Sequence, residues 1–200
     1  MFVSGNKGEK NTLKILNKLP KAFTIFNQIE IPSTESSFDE FETDFIVVGF
    51  NSIFIIEVKR YQGKIKCKNV NEDWIQQIFY SDGKLKLEKF VRSPFRQVSR
   101  QKRILYSFVL KYGIELDIKT LVFLNMNKRD YKLPKIVDIP VFSDKDINKH
   151  IQNVDKYFSS YINGYHREEL VDLLIKQNEH SKRSRHLRLK DKSYLKEYFK

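Results

Sequence analysis

Two short runs hold the densest hydrophobic pattern: Asp44-Phe45-Ile46-Val47-Val48 and Ile53-Phe54-Ile55-Ile56-Glu57-Val58-Lys59, separated by Gly49-Phe50-Asn51-Ser52. Runs this rich in Ile, Val and Phe, bounded by turn residues, predict strands of a buried central sheet. Before them, Gly8 to Leu19 reads as a helix with Leu13, Ile15 and Leu16 on its apolar side, stopped by Pro20. Phe23 to Ile31 reads as a strand, followed by a polar loop from Pro32 to Glu40. Gly63 to Lys68 predicts another strand, and Ser81-Asp82-Gly83-Lys84 a hairpin turn between further strand-like pieces. Ser93 as N-cap and Pro94 as first helical residue open a long helix to about Tyr112, with Val98, Leu105, Phe108 and Tyr112 facing the core. Thr120 to Leu124 and Ile139 to Phe142 read as strands. Ser143 starts a helix toward Tyr157, and Arg167 to Gln177 is amphipathic through Leu170, Leu173 and Leu174. This order predicts an α/β or α+β sandwich of helices on a mixed sheet.

The chain has 200 residues, enough for one domain with an appendage. We place the domain at residues 1–178 and a basic helical tail at 179–200. A hydrophobic share of 40% supports a sizeable core, and no stretch approaches a membrane span. The first residues lack the order of a signal peptide, and Cys67 stands alone. Both features fit a reducing cytoplasm. The net charge of +12 favours an anionic partner, nucleic acid first and an acidic membrane surface second. From His180 to Lys200 there are eight Lys/Arg and two Asp/Glu, so half of the net charge lies in the tail. That tail is either a solvated helix or a phosphate-contacting arm.

The candidate chemistry lies between Asp44 and Lys59. If the two apolar runs form a hairpin centred between Phe50 and Asn51, paired residue numbers sum to 101, and Asp44 falls opposite Glu57. Opposed side chains lie about 4.5–5.5 Å apart at Cβ. Alternation puts Glu57 and Lys59 on one face and Val58 on the other. Two facing carboxylates require a compensating cation or a proton. A hard divalent ion such as Mg²⁺ suits them, because it takes one or two carboxylates together with water and substrate phosphate. Lys59 adds a compact positive charge for a water or a phosphate. Metal-assisted phosphodiester hydrolysis is the reaction this set supports, against a plain salt bridge of Lys59 with Glu57 or Asp44. Glu9 shares the apolar stripe of the first helix; it serves either the helix dipole or the site.

Gly5-Asn6-Lys7-Gly8-Glu9, then Glu42-Thr43-Asp44-Phe45-Ile46-Val47-Val48-Gly49, then Ile55-Ile56-Glu57-Val58-Lys59-Arg60-Tyr61-Gln62-Gly63-Lys64-Ile65, then Trp74 and Ser93-Pro94-Phe95-Arg96-Gln97 follow one another. In order and spacing they resemble the nuclease-related domain, a branch of the PD-(D/E)XK nuclease superfamily, over about Gly5 to Phe123. The resemblance implies a restriction-endonuclease-like core: a mixed central sheet flanked by helices, here with extra C-terminal helices. It implies Asp44, Glu57 and the Val58 carbonyl as ligands of Mg²⁺ or Mn²⁺, and Lys59 as the catalytic lysine. Glu9 matches the acid of the first helix, and Gln97 a glutamine placed to orient water or substrate. Phe45 stands where the family often has His, and Ser93 where it often has Asn; neither change touches the implied ligands.

Arg96, Arg100 and Arg103 share one face of the helix after Pro94, with Arg92 just before it. That face suits a nucleic-acid backbone, or is simply solvated. Trp74 is expected in the core. The four histidines have no metal-ligand spacing and are expected at the surface. Three function classes remain: a metal-dependent nuclease, with DNA the expected substrate ahead of RNA; a nucleic-acid-binding module that keeps the fold without cutting; or a structural or membrane-surface adaptor driven by the basic tail.

Overall fold

The computed structural model describes residues 4–32, 40–114, 117–134, 137–157 and 164–180. Helix α1 spans Ser4–Leu16, β1 Thr24–Pro32, β2 Glu40–Val48, β3 Ile53–Lys59, β4 Lys64–Lys66, β5 Trp74–Phe79 and β6 Leu85–Val91. Helix α2 spans Pro94–Leu110, β7 Ile118–Leu124, β8 Tyr131–Lys132, β9 Val141–Phe142, α3 Asp146–Tyr157 and α4 Gly164–His180. The expected α/β architecture is present, with strands in two sheets. A five-stranded sheet has the order β1-β2-β3-β7-β9, and a four-stranded sheet the order β6-β5-β4-β8. The first is mixed: β1, β2 and β3 are antiparallel neighbours, while β3, β7 and β9 run parallel.

Helices cover both faces of the five-stranded sheet, which is why β3 reads as an unbroken apolar run. On one face Ile46, Val48, Ile53 and Ile55 join Val98, Leu105 and Phe108 of α2 and Leu170 and Leu174 of α4. On the other, Phe45, Val47, Phe54 and Ile56 join Leu16 of α1 and Ile147 and Ile151 of α3. Trp74 is fully buried in the first cluster, as expected, with its ring centroid 5.7 Å from that of Phe95.

The turn between β2 and β3 is fastened from α3 and α4. Asp155 accepts hydrogen bonds from the backbone N–H groups of Phe50, Asn51 and Ser52 at 3.1, 2.9 and 3.0 Å. Arg167, buried at 2% exposure, donates to the carbonyls of Gly49 and Ala22 at 2.9 and 2.6 Å. A Cβ on Gly49 would lie 2.3 Å from Asp155 Oδ1, so only glycine fits there.

Several local expectations are corrected. Helix α1 ends at Leu16, and tighter bonds from Lys18 and Leu19 to Ile15 and Leu16 fill the chain before Pro20. Ser93 precedes α2 but does not cap it, because its hydroxyl donates to the Val70 carbonyl instead. Tyr112 lies past the end of α2 and is 58% exposed, so it is not core. Helix α3 starts at Asp146 rather than at Ser143, with Asp144 accepting from the Asp146 N–H. His150 is half-buried beside the Phe142 ring rather than at the surface. The basic tail at 181–200, including His186, lies outside the described residues. Among the described residues no helix is long and apolar enough to cross a membrane.

Candidate active site

The site sits where β2 and β3 part. Their ladder runs from Val48↔Ile53 to Phe45↔Ile56, the register that sums to 101. Beyond it the ladder stops. Asp44 does not continue it as a strand pair with Glu57; its Oδ2 accepts the Val58 N–H at 2.7 Å. Glu57 and Lys59 share a face, as alternation predicts. Glu57 is only 2% exposed, and its Oε1 lies 2.5 Å from Lys59 Nζ. Lys59 remains partly open to solvent.

Sequence reasoning missed the other partner of Glu57. Gln101 of α2 donates through Nε2 to Glu57 Oε2 at 2.7 Å and to the Glu42 carbonyl at 3.3 Å. A signal was present: Val98, Gln101, Leu105 and Phe108 form one helical stripe, and Gln101 is its polar member. A buried polar residue in an apolar stripe must find a partner. Gln97, the expected glutamine, lies one turn earlier with its side-chain oxygen buried and unpartnered. The amide that reaches Glu57 is therefore that of Gln101.

Glu9 comes from the first turns of α1. Its Oε2 accepts from Gln28 Nε2 at 2.7 Å. Gly8 allows the approach: a Cβ there would meet Arg60 Cβ at 3.2 Å, and its carbonyl accepts from Asn125 Nδ2 at 2.9 Å. The Asn125 N–H in turn donates to the Lys59 carbonyl at 2.7 Å. Thus α1, the end of β3 and the end of β7 are tied together beside the acids.

The electrostatics follow from packing three acids near one lysine. Burial, then the Glu57 charge, holds the Asp44 carboxyl well above the usual range, with the Val58 N–H and Lys59 opposing. Burial, then Glu42 and Glu57, raises Glu9, with Lys59 again opposing. Burial and the nearby Glu57 charge also raise the Tyr61 phenol, whose buried oxygen has no hydrogen-bond partner.

The arginines divide. Arg92, Arg96, Arg100 and Arg103 are all exposed. Arg96 pairs with Asp73 at 3.3 Å, and Arg100 lies over the Phe41 ring at 5.1 Å from its centroid.

A family model described as nuclease-related domain matches residues 4–125, which is 122 of the 200. The chain belongs to the nuclease-related domain family. No curated protein and no solved structure matches it. The nuclease-related domain takes in α1, β1 to β7 and α2, and so every residue of the candidate site. The Asp155 and Arg167 fastenings lie beyond the match.

Proposed function

We propose that this nuclease-related domain is a metal-dependent nuclease that hydrolyses phosphodiester bonds of DNA. The observation that carries this reading is the excess of acid over base at one strand end, where buried Glu57 and half-buried Asp44 and Glu9 share a single lysine. Such an excess is costly unless a cation or protons neutralise it. Among the described residues no group of three or more His, Cys, Asp and Glu side chains could hold an ion by itself. Mg²⁺ or Mn²⁺ would need only one or two of these carboxylates, because such ions keep several waters and bind substrate phosphate. Asp44, Glu57 and the Val58 carbonyl would hold the ion. When bound, it would polarise the phosphate and lower the cost of forming hydroxide from water.

The chain's own groups supply the rest. Lys59 Nζ, partly open to solvent, orients the attacking water or a phosphate oxygen. Gln101 fixes the Glu57 carboxylate through one oxygen while Lys59 engages the other. Glu9 completes the acidic wall, and Gln97 orients substrate. The exposed Arg92, Arg96, Arg100 and Arg103 contact the phosphate backbone.

The test is cleavage of DNA in Mg²⁺ or Mn²⁺ against excess chelator, for wild type, Asp44→Asn and Lys59→Ala. We expect cleavage only with metal, and a loss of at least about 100-fold in each variant. Equal cleavage by all three proteins would overturn the mechanism. Salt-sensitive DNA binding with no cleavage under any metal condition would instead assign the chain to the non-cutting class.

A further inference from the structure

Gln28, in the middle of β1, is the one non-glycine residue among the described residues with a positive φ, at 53°. Asparagine, aspartate and glycine enter this left-handed region readily, and a glutamine there is uncommon. The residues beside it stay in register, Asn27 with Phe45 and Ile29 with Thr43, but Gln28 and Asp44 do not pair between them. The break turns the strand over without adding a residue. Ahead of it, Ile25 packs on the α1 and α3 face and Phe26 on the α2 face. After it, Ile29 and Ile31 both pack on the α2 face, where unbroken alternation would put even-numbered positions. The partner strand turns with it: Phe45 and Val47 face α1 and α3, while Phe41 packs with the α2 cluster.

Two acids depend on this one irregular pair. Asp44 sits at the break, and its carboxylate takes the Val58 N–H. Gln28, opposite it, sends its side-chain amide to Glu9. A glycine or asparagine would make the same backbone turn at lower cost. What glutamine adds is the reach of its amide.

We propose that Gln28 is a positioning residue: its amide holds the Glu9 carboxylate near the Asp44, Glu57 and Lys59 cluster, where the Glu9 charge favours a divalent cation without supplying a third carboxylate ligand. The inference rests on the metal-dependent reading of that cluster. Strained backbone conformations persist where the surroundings enforce them, and they concentrate at functional sites. Residues that orient the groups around a metal commonly alter its affinity 10- to 100-fold, on the order of what the ligands' own partners do elsewhere.

The experiment measures Mn²⁺ binding by calorimetry for wild type, Gln28→Gly, Gln28→Asn, Glu9→Gln and the double variant Gln28→Gly with Glu9→Gln, alongside their thermal unfolding. Glycine and asparagine both tolerate the left-handed backbone, and neither side chain spans to Glu9. We expect both to melt at or above the wild-type temperature while binding Mn²⁺ roughly tenfold more weakly. The double variant should bind no more weakly than Glu9→Gln alone, because Gln28 acts through Glu9. Wild-type affinity in both Gln28 variants, or additive losses in the double variant, would overturn the proposal. So would lowered melting of both variants in step with the lost affinity, which would make Gln28 a folding residue. A wild-type protein that takes up no Mn²⁺ would remove the metal reading and this inference with it; failure of the variants alone would remove only the inference.

Discussion

Asp44 is pulled in opposite directions. Burial and the Glu57 charge favour its protonated form, and the Val58 N–H and Lys59 favour the anion; the first pair wins. An acid that holds its proton more tightly folded than unfolded stabilises the fold below the ordinary carboxylate value of about 4. That contribution is lost as the pH rises through the raised folded value. Metal-free wild type should therefore lose stability to urea as pH rises through this window, and Asp44→Asn should flatten the slope. Identical pH slopes in the two proteins would contradict this. Gln101→Leu suits the apolar stripe but leaves the buried Glu57 Oε2 without its donor; we expect lowered melting, and cleavage slowed about tenfold. The core of this site was legible because register arithmetic and alternation act over short distances. Glu57 and Lys59 fell on one face as the spacing dictated. Gln101 was not legible as a partner because 44 residues separate it from Glu57, and only the packing of α2 on the sheet joins them. The detailed posture of Asp44 was missed for a different reason. Register arithmetic holds only along unbroken strands, and Gln28 breaks the alternation opposite Asp44.

The elements that carry the site are held by elements that do not touch it. The β2 and β3 hairpin closes through Asp155 of α3, whose carboxylate satisfies three backbone N–H groups at once. Removing it would leave the buried Ser52 N–H and the part-buried Phe50 and Asn51 N–H groups without this partner. Asp155→Ala should lower unfolding free energy by about 3 kcal/mol or more in urea titrations. Gly49→Ala should destabilise for a separate reason, since its Cβ would collide with the Asp155 carboxylate. A wild-type midpoint in either variant would remove this account of the turn. Most elements could be read from the sequence because β3, α2 and β7 carry strong, uninterrupted patterns. The second sheet could be read only in part: the strand at β4 and the turn joining β5 to β6 were expected, but β8 was not. Its member β8 has two residues, and β6 is exposed along nearly its whole length, with Phe90 at 76%. Neither strand carries the one-sided apolar alternation that marks a strand packed on a core. Pairing to β4 and β5, not local pattern, makes them strands.

Charge is a property of the whole chain, and its distribution separates binding from cutting. Of the net +12, the residues after His180 carry eight Lys/Arg and two Asp/Glu, or +6, leaving +6 for the rest. The exposed Arg96, Arg100 and Arg103 ride on α2, the helix whose Gln101 reaches Glu57. Arginines on that helix can therefore register a bound backbone against the acids, whereas the charge of residues 181–200 adds attraction. Each phosphate contact releases counterions, so its loss flattens the dependence of affinity on salt. A chain ending at His180 should bind DNA more weakly at low salt, with a shallower salt slope, yet cleave at the wild-type rate when DNA saturates it. Replacing Arg96, Arg100 and Arg103 together by Ala should weaken binding and also slow cleavage at saturation, because the backbone loses its register over the acids. Fluorescence anisotropy across a salt series, paired with single-turnover cleavage, separates the two effects. Cleavage at saturation that vanishes with the tail but survives loss of the three arginines would reverse this division of labour.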